Sequence, residues 1–300
     1  MKRVLLATLF CLAVLSASAL AASPGDVVGD QSLLDTKFEK GMVISLDKFY
    51  AEHPLKAGDP TRGDVVYESP RCQVVLVTNH GPLIGLHYHQ SADEIVYVHK
   101  GQGEMYINGK WIPVKAGDLH FNPRGVIHAT RVVGKEDMQV FSIFTPPQAG
   151  GNDKAFIGSE GVLAKPGDVI GSPSLIDTKY DKGQVISLPE FYTSHPLKAG
   201  DPTRGDVVFE SPRSQIVVVT NHGPLIGLHY HQSADEIVFV YKGKGEMYID
   251  GKWVPVKAGD LHINPRGVIH ATRVVGNEDL YVYSVFTPPQ AGGNDKAFIQ

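Results

Sequence analysis

Cysteine and charge bias are the two things this chain has least of. Two of its 300 residues are Cys and the formal net charge is −4. Cys11 falls in an apolar run at the start, which leaves Cys72 as the one thiol in the remainder. No internal disulfide can form there, so the fold must stand on its core. Cys72 reads as a buried, inert thiol. The mild negative charge argues against nucleic acid and anionic membrane as partners, because both call for a basic surface. Long apolar runs are also scarce. The longest, Val4 to Leu15, is short for a transmembrane helix and nothing later approaches it. P-loop, nucleophile-elbow, zinc-protease and dinucleotide motifs are all missing, which removes those enzyme classes.

What is present begins with an export signal. Met1-Lys2-Arg3 is basic, Val4 to Leu15 is apolar, and Ser16 to Ala22 is rich in small residues. That layout predicts a secretory signal peptide over 1–22, cleaved after Ala21 or Ala22, and a secreted or periplasmic mature chain.

The rest is a tandem repeat. Pro24 to Ile157 aligns with Pro166 to Ile299 without a gap, at 108 identities in 134 positions, or 81%. The bridge Gly158-Ser-Glu-Gly-Val-Leu-Ala-Lys165 has linker composition. Two domains are therefore expected, 23–157 and 166–300, each a comfortable size for one core.

Within a copy the signals are β. Short runs rich in Val, Ile and aromatics alternate with Gly, Pro, Asn and Asp. They predict strands near 65–68, 73–78, 84–89, 94–99, 104–107, 111–114, 127–133 and 139–144. About eight close strands imply an all-β sandwich or small barrel. Ser45 to Glu52 reads as a short helix with Ser45 as N-cap and His53-Pro54 as its stop. Asn108-Gly109 becomes Asp250-Gly251 in the second copy, the two dipeptides best suited to a type I′ hairpin. Most other differences are Val/Ile, Leu/Val or Phe/Tyr exchanges, which keep core volume near constant.

Each copy also carries Gly-x5-His-x-His-x4-Glu-x6-Gly, at Gly81, His87, His89, Glu94 and Gly101, then at Gly223, His229, His231, Glu236 and Gly243. A second pattern, Gly-x5-Pro-x-Gly-x2-His, follows at Gly117, Pro123, Gly125 and His128, then at Gly259, Pro265, Gly267 and His270. Residues two apart on a strand share a face, so His87 and His89 project together. Three imidazoles and a carboxylate suit a divalent transition metal, Fe, Mn, Ni, Co, Cu or Zn. Without thiolates, a closed structural zinc site is disfavoured. One metal per copy is expected, with a position open to water or substrate.

These two patterns resemble the cupins, small metal-binding β-barrels, from about Gly63 to Phe144 and Gly205 to Phe286. The chain is similar to a bicupin. The second motif departs at its last position, where the family often has Asn and this chain has Val132 and Val274. The resemblance implies all-β architecture with two tandem jelly-roll (double-stranded β-helix) barrels. It assigns His87, His89, Glu94 and His128 as ligands of one metal, and His229, His231, Glu236 and His270 as ligands of the other. It also implies that the two copies pack about a pseudo-twofold axis, with further homo-oligomerisation left open.

Other histidines read differently. His53, His80, His195 and His222 fit structural or surface roles, and His120 and His262 are candidates for the barrel mouth. Arg62-Gly63-Asp64 reads as turn chemistry, and strand alternation points Arg131 and Arg273 away from the metal. Leu83, Gly85, Val96, Val98, Met105 and Ile107 are expected to face inward and to wall an apolar small-molecule pocket.

The fold alone does not name a task. The expected function is that of a metal-dependent, dioxygenase-like oxidoreductase on a small organic molecule, with Glu94 and Glu236 as proton acceptors. The alternatives are a non-catalytic small-molecule or sugar binding or storage module, a metal that only staples the barrel, and an oxalate decarboxylase or oxidase. The last is weakened because Ile84 and Ile226 stand where such enzymes usually carry an Arg, and no other inward cation is evident.

Overall fold

A computed structural model describes residues 40–81, 84–156, 183–223 and 226–299. The expected signal peptide over 1–22, the expected linker over 158–165 and Leu83 lie outside these residues. Every strand pairing among them is antiparallel.

The first copy runs β1 (Met42–Ser45), α1 (Leu46–Glu52), β2 (Thr61–Glu68), β3 (Gln73–Asn79), β4 (Ile84–His89), β5 (Asp93–Lys100), β6 (Gln102–Ile107), β7 (Lys110–Lys115), β8 (Asp118–Asn122), β9 (His128–Val132), β10 (Met138–Thr145) and β11 (Lys154–Phe156). The second repeats it as β12 (Gln184–Ser187), α2 (Leu188–Ser194), β13 (Thr203–Glu210), β14 (Gln215–Asn221), β15 (Ile226–His231), β16 (Asp235–Lys242), β17 (Lys244–Ile249), β18 (Lys252–Lys257), β19 (Asp260–Asn264), β20 (His270–Val274), β21 (Leu280–Thr287) and β22 (Lys296–Phe298).

All eight expected strands form. The hairpin β6–β7 turns on Asn108 and Gly109, both at positive φ (52° and 82°), as a type I′ turn requires. The helix after Ser45 stops at His53, whose ring stacks on Phe49 and whose Nδ1 lies 2.9 Å from the Phe49 carbonyl. Ser45 sits at the N-cap position but makes no side-chain cap. Arg62 and Asp64 are not in a turn. They lie on β2, where residues two apart share a face and the pair closes at 2.7 Å.

Each copy is two facing sheets. In the first, β12-β8-β5-β10-β3-β2 opposes β11-β4-β9-β6-β7. The opening strand of the six-stranded sheet comes from the other copy. β12 pairs with β8, placing Val185 opposite His120, while β1 pairs with β19, placing Val43 opposite His262. The exchange is reciprocal, and each helix begins on the foreign barrel. The Leu46 amide donates to the Gly259 carbonyl at 3.0 Å, and the Leu188 amide to Gly117 at 3.1 Å.

Alternation along β5 divides the core. Val96 and Val98 turn into the barrel beside Met105, Ile107, Val114, Met138 and Val140. Ile95 and Tyr97 turn out, against Phe239, Ile237 and Tyr283 of the other copy. The outer faces of the two six-stranded sheets thus form one continuous core, with Phe121 stacked on Phe209 at 4.9 Å and Tyr97 against Phe239 at 4.4 Å. Two buried carboxylates pin this seam. Asp235 accepts from the Arg71 guanidinium at 2.7 and 3.0 Å, from Ser69 at 2.5 Å and from Tyr67 at 3.1 Å. Asp93 accepts from Arg213 at 2.8 Å and from Ser211 at 2.5 Å. Removing one partner of such a pair strands a buried charge, which costs about 3–5 kcal/mol.

The barrel filling corrects one expectation. Val96, Val98, Met105 and Ile107 do face inward, but they pack against one another as a core instead of walling a ligand cavity. Small barrels are filled by their own side chains. What space the site has must come from its other end.

Candidate metal centre

β4 delivers His87 and His89 to one face, and the adjacent β9 delivers His128, which sits directly across from His87. Glu94 comes from β5 in the opposing sheet. The site therefore lies between the two sheets, at the end of the barrel away from the valine and methionine core.

Three neighbours fix the rings. His87 Nδ1 lies 2.7 Å from the Gly85 carbonyl, His128 Nδ1 2.9 Å from the Val126 carbonyl, and His89 Nδ1 2.6 Å from Asp153 Oδ1. In each ring Nδ1–H then donates and Nε2 keeps its lone pair. The three imidazoles offer nitrogens within 4.8 Å of one another. Nε2 of His89 and of His128 is buried without a hydrogen-bond partner. Such orphaned atoms carry a cost unless something fills the space between them. A divalent metal would satisfy them, so the donor set fits the ion expected from the sequence.

Glu94 completes the set. Its Oε2 lies 3.1 Å from His128 Nε2 and 3.8 Å from His89 Nε2. Asn122 donates to Oε2 at 2.9 Å and Ser142 to Oε1 at 3.0 Å, so both oxygens are held. Burial alone would raise the Glu94 carboxyl, but contact with His128 and His89 outweighs it and holds the group well below its ordinary range. His87 is pushed well below its usual value by burial, then by His128, His89 and Lys154. A neutral imidazole beside an ionised carboxylate is the protonation state that metal ligation needs.

The second centre repeats this geometry. His229, His231 and His270 converge, with Glu236 Oε2 3.1 Å from His270 and 3.8 Å from His231. His231 Nδ1 meets Asp295 at 2.6 Å. One balance differs. At His89 the carboxylates of Asp153 and Glu94 overcome burial and raise the ring, while at His231 burial prevails and lowers it. The distances match closely, so burial and the paired carboxylates nearly balance at both rings.

The remaining expectations sort cleanly. His80 is exposed and pairs with Asp137 at 2.5 Å. Arg131 points away from the metal, onto the Trp111 ring at 4.3 Å and to Glu104. His120 and His262 are fully buried inside the barrel, not at its mouth, and burial pushes them down to about 4 and about 3. Both nitrogens of each ring lack a hydrogen-bond partner.

Sequence reasoning passed over Asp153 and Asp295, which orient a candidate ligand histidine from the residue just before β11 and β22. It also passed over Asn122 and Ser142, which hold Glu94. The repeated Gly-Gly-Asn-Asp-Lys-Ala-Phe at 150–156 and 292–298 is the signal that would have found the aspartates. It reads as a loop because it has too few apolar residues to announce a strand.

With fold and donor set in place, comparison with known proteins is decisive. The model described as "Cupin domain" matches residues 74–144 and again 215–286. The chain is a bicupin. An oxalate-binding protein of Thermotoga maritima is 36% identical over 63 residues, covering 21% of the bicupin and 52% of that relative. The bicupin thus spans about half the length of that relative. Quercetin 2,3-dioxygenase of Bacillus subtilis is 22% identical over 232 residues, covering 67% of the bicupin and 68% of the relative. Among solved structures, a salicylate 1,2-dioxygenase from Pseudaminobacter salicylatoxidans superposes with a TM-score of 0.63 at 15% identity, over 81% of the bicupin and 83% of that chain. At that identity the likeness is one of fold.

Proposed function

We propose that this bicupin is an exported, metal-dependent enzyme that acts oxidatively on a small organic molecule in the manner of cupin dioxygenases. One observation carries the reading, the convergence of three buried imidazoles and an ionised carboxylate on one point, twice in the chain. When bound there, a divalent transition metal supplies Lewis-acid or redox activation of a substrate oxygen or of dioxygen. The protein's own part is positional. Gly85, Val126 and Asp153 fix the tautomers, and the packed valines and methionines close the far end of the barrel to water. Glu94, held at both oxygens by Asn122 and Ser142, stays ionised as the fourth donor and would serve as a proton acceptor on leaving the metal. Dioxygenases among the relatives support the oxidative reading. Export rests on the basic start and apolar run of residues 1–22.

Anaerobic loading with Fe(II), Mn(II) or Ni(II), followed by oxygen uptake on phenols, diketones and flavonols, tests the proposal. The expected result is metal-dependent uptake that vanishes in the His89→Ala/His231→Ala double variant. No turnover with any metal would overturn it. The oxalate-binding relative favours a second reading, metal-dependent binding without turnover, which predicts saturable binding and ligand recovered unchanged.

A further inference from the structure

Lysine 154 stands one strand away from the ligand histidines. β11 pairs with β4 in a register that sets Lys154 opposite His89 and Phe156 opposite His87. Residues directly opposite in an antiparallel pair project to the same side of the sheet. Lys154 therefore leaves its strand on the face that carries the imidazoles. Its contacts agree. The ammonium lies 5.9 Å from the centre of the Phe144 ring, and that ring packs 5.0 Å from His89. Phe156 packs 5.4 Å from His87 on the same face.

The second copy repeats this register, with Lys296 opposite His231 and Phe298 opposite His229. Lys154 is half-buried, and its polar partner among the described residues is the Gln148 amide oxygen at 3.4 Å. A cation held over an aromatic ring, with one weak amide contact, is poised for an anion. The expectation that no inward cation stands near the metal is corrected by this register, which three residues of β11 decide.

We propose that Lys154 and Lys296 are substrate anchors that select small organic acids, by pairing with a carboxylate whose own or neighbouring oxygen reaches the metal. The inference rests on the metal-centre reading above and names the substrate class for it. Phe144 and Phe156 would flank the acid's apolar part, and the lysine and metal would divide its charge. A charge-assisted contact of this kind is worth about 10- to 100-fold in affinity.

The test uses Co(II)-loaded full-length mature protein, with metal content measured first. Oxalate, salicylate and the uncharged salicylamide are titrated by following the cobalt absorption bands. Wild type is expected to bind at least one of the acids more tightly than salicylamide. In Lys154→Met/Lys296→Met the acid affinity falls about 10- to 100-fold while salicylamide and cobalt content stay unchanged. Lys154→Arg/Lys296→Arg restores most of the loss. Unchanged acid affinity in the Met variant overturns the inference, as does an equal loss for acid and amide, or no binding of any probe to loaded protein. These results leave the metal centre standing. Failure to take up cobalt would overturn the parent reading and, with it, the pairing of lysine and metal.

Discussion

Val96, Val98, Met105, Ile107, Val114 and Val140 fill the first barrel, and identical residues fill the second. Met138, which becomes Leu280, is the one change in that set. The seam between the copies is different. Tyr67, Cys72, Val74, Leu76, Tyr97, Phe121, Phe141 and Ile143 become Phe209, Ser214, Ile216, Val218, Phe239, Ile263, Tyr283 and Val285. Every metal-site residue named above is the same in both copies. Among the buried core residues, divergence has gathered where the halves meet.

Physics accounts for that distribution. Two identical subunits across a twofold axis must present a surface that complements itself, so any change acts on both sides at once. Once the halves share a chain, each side need only fit the other, as in a heterodimer. Phe121 stacks on Phe209 with ring planes 7° apart, while the pseudo-symmetric pair is Ile263 with Tyr67. Tyr67 spends its hydroxyl on Asp235, a bond that Phe209 has no hydroxyl to return to Asp93.

The largest effect should come from breaking the seam at its charged pins. Asp235→Ala strands the Arg71 guanidinium and is expected to cost about 3–5 kcal/mol. Asp93→Ala should cost less, because Asp235 also accepts from Tyr67. Chemical denaturation of both variants measures the difference, and equal losses would show that the seam is symmetric after all.

At the centres the expectation is the reverse. Asp153→Asn and Asp295→Asn should each weaken metal at their own site by about 10- to 100-fold. Stepwise metal titration is expected to give matching deficits, and a deficit at one site alone would separate copies that the geometry makes equal. Asp153 also predicts a pH dependence. Burial would raise its carboxyl, but the His89 hydrogen bond prevails and brings it from 3.8 down to about 2. A lowered carboxyl stabilises the fold fully above its unfolded value and loses that share as pH falls through the folded one. With metal chelated, the stability gap between wild type and Asp153→Asn should therefore close from about pH 4 to about pH 2. A gap constant across that window would show that the pair contributes nothing.

Smaller effects sharpen the packing comparison. Ile263→Phe makes the second copy match the first but forces a ring against Tyr67, an overpacking worth about 1–3 kcal/mol of destabilisation. Pairing it with Tyr67→Phe should recover part of the loss. Tyr67→Phe alone removes one buried hydrogen bond to a carboxylate, about 1.5–3 kcal/mol at most and less where Arg71 and Ser69 compensate. Thermal melts of the two single variants and the double read both numbers.

How far the sequence carried depends on where the signal was local. The clustering of the motif histidines and glutamate, the hairpin turns and the short helix follow from spacing and turn chemistry within a few residues, and all were legible. β8 was not, since Asp118 to Asn122 is short and has only Leu119 and Phe121 apolar, and its three polar residues, which read as exposed, are buried. The strand exchange was hidden by the repeat itself. β1 and β12 share Val-Ile-Ser, and their acceptor strands share Asp-Leu-His, so either pairing satisfies the pattern equally. Lys154 was missed because a three-residue strand takes its direction from its partner, not from its own periodicity, and Asp153 because it sits in the polar loop that leads into it.

Both copies are expected to hold a metal through the same donors. Metal analysis of the purified protein tests this most directly. Two transition-metal ions per chain are expected, one in His89→Ala and none in His89→Ala/His231→Ala. A wild-type chain that takes up no metal, or a double variant that keeps its full complement, would contradict the account.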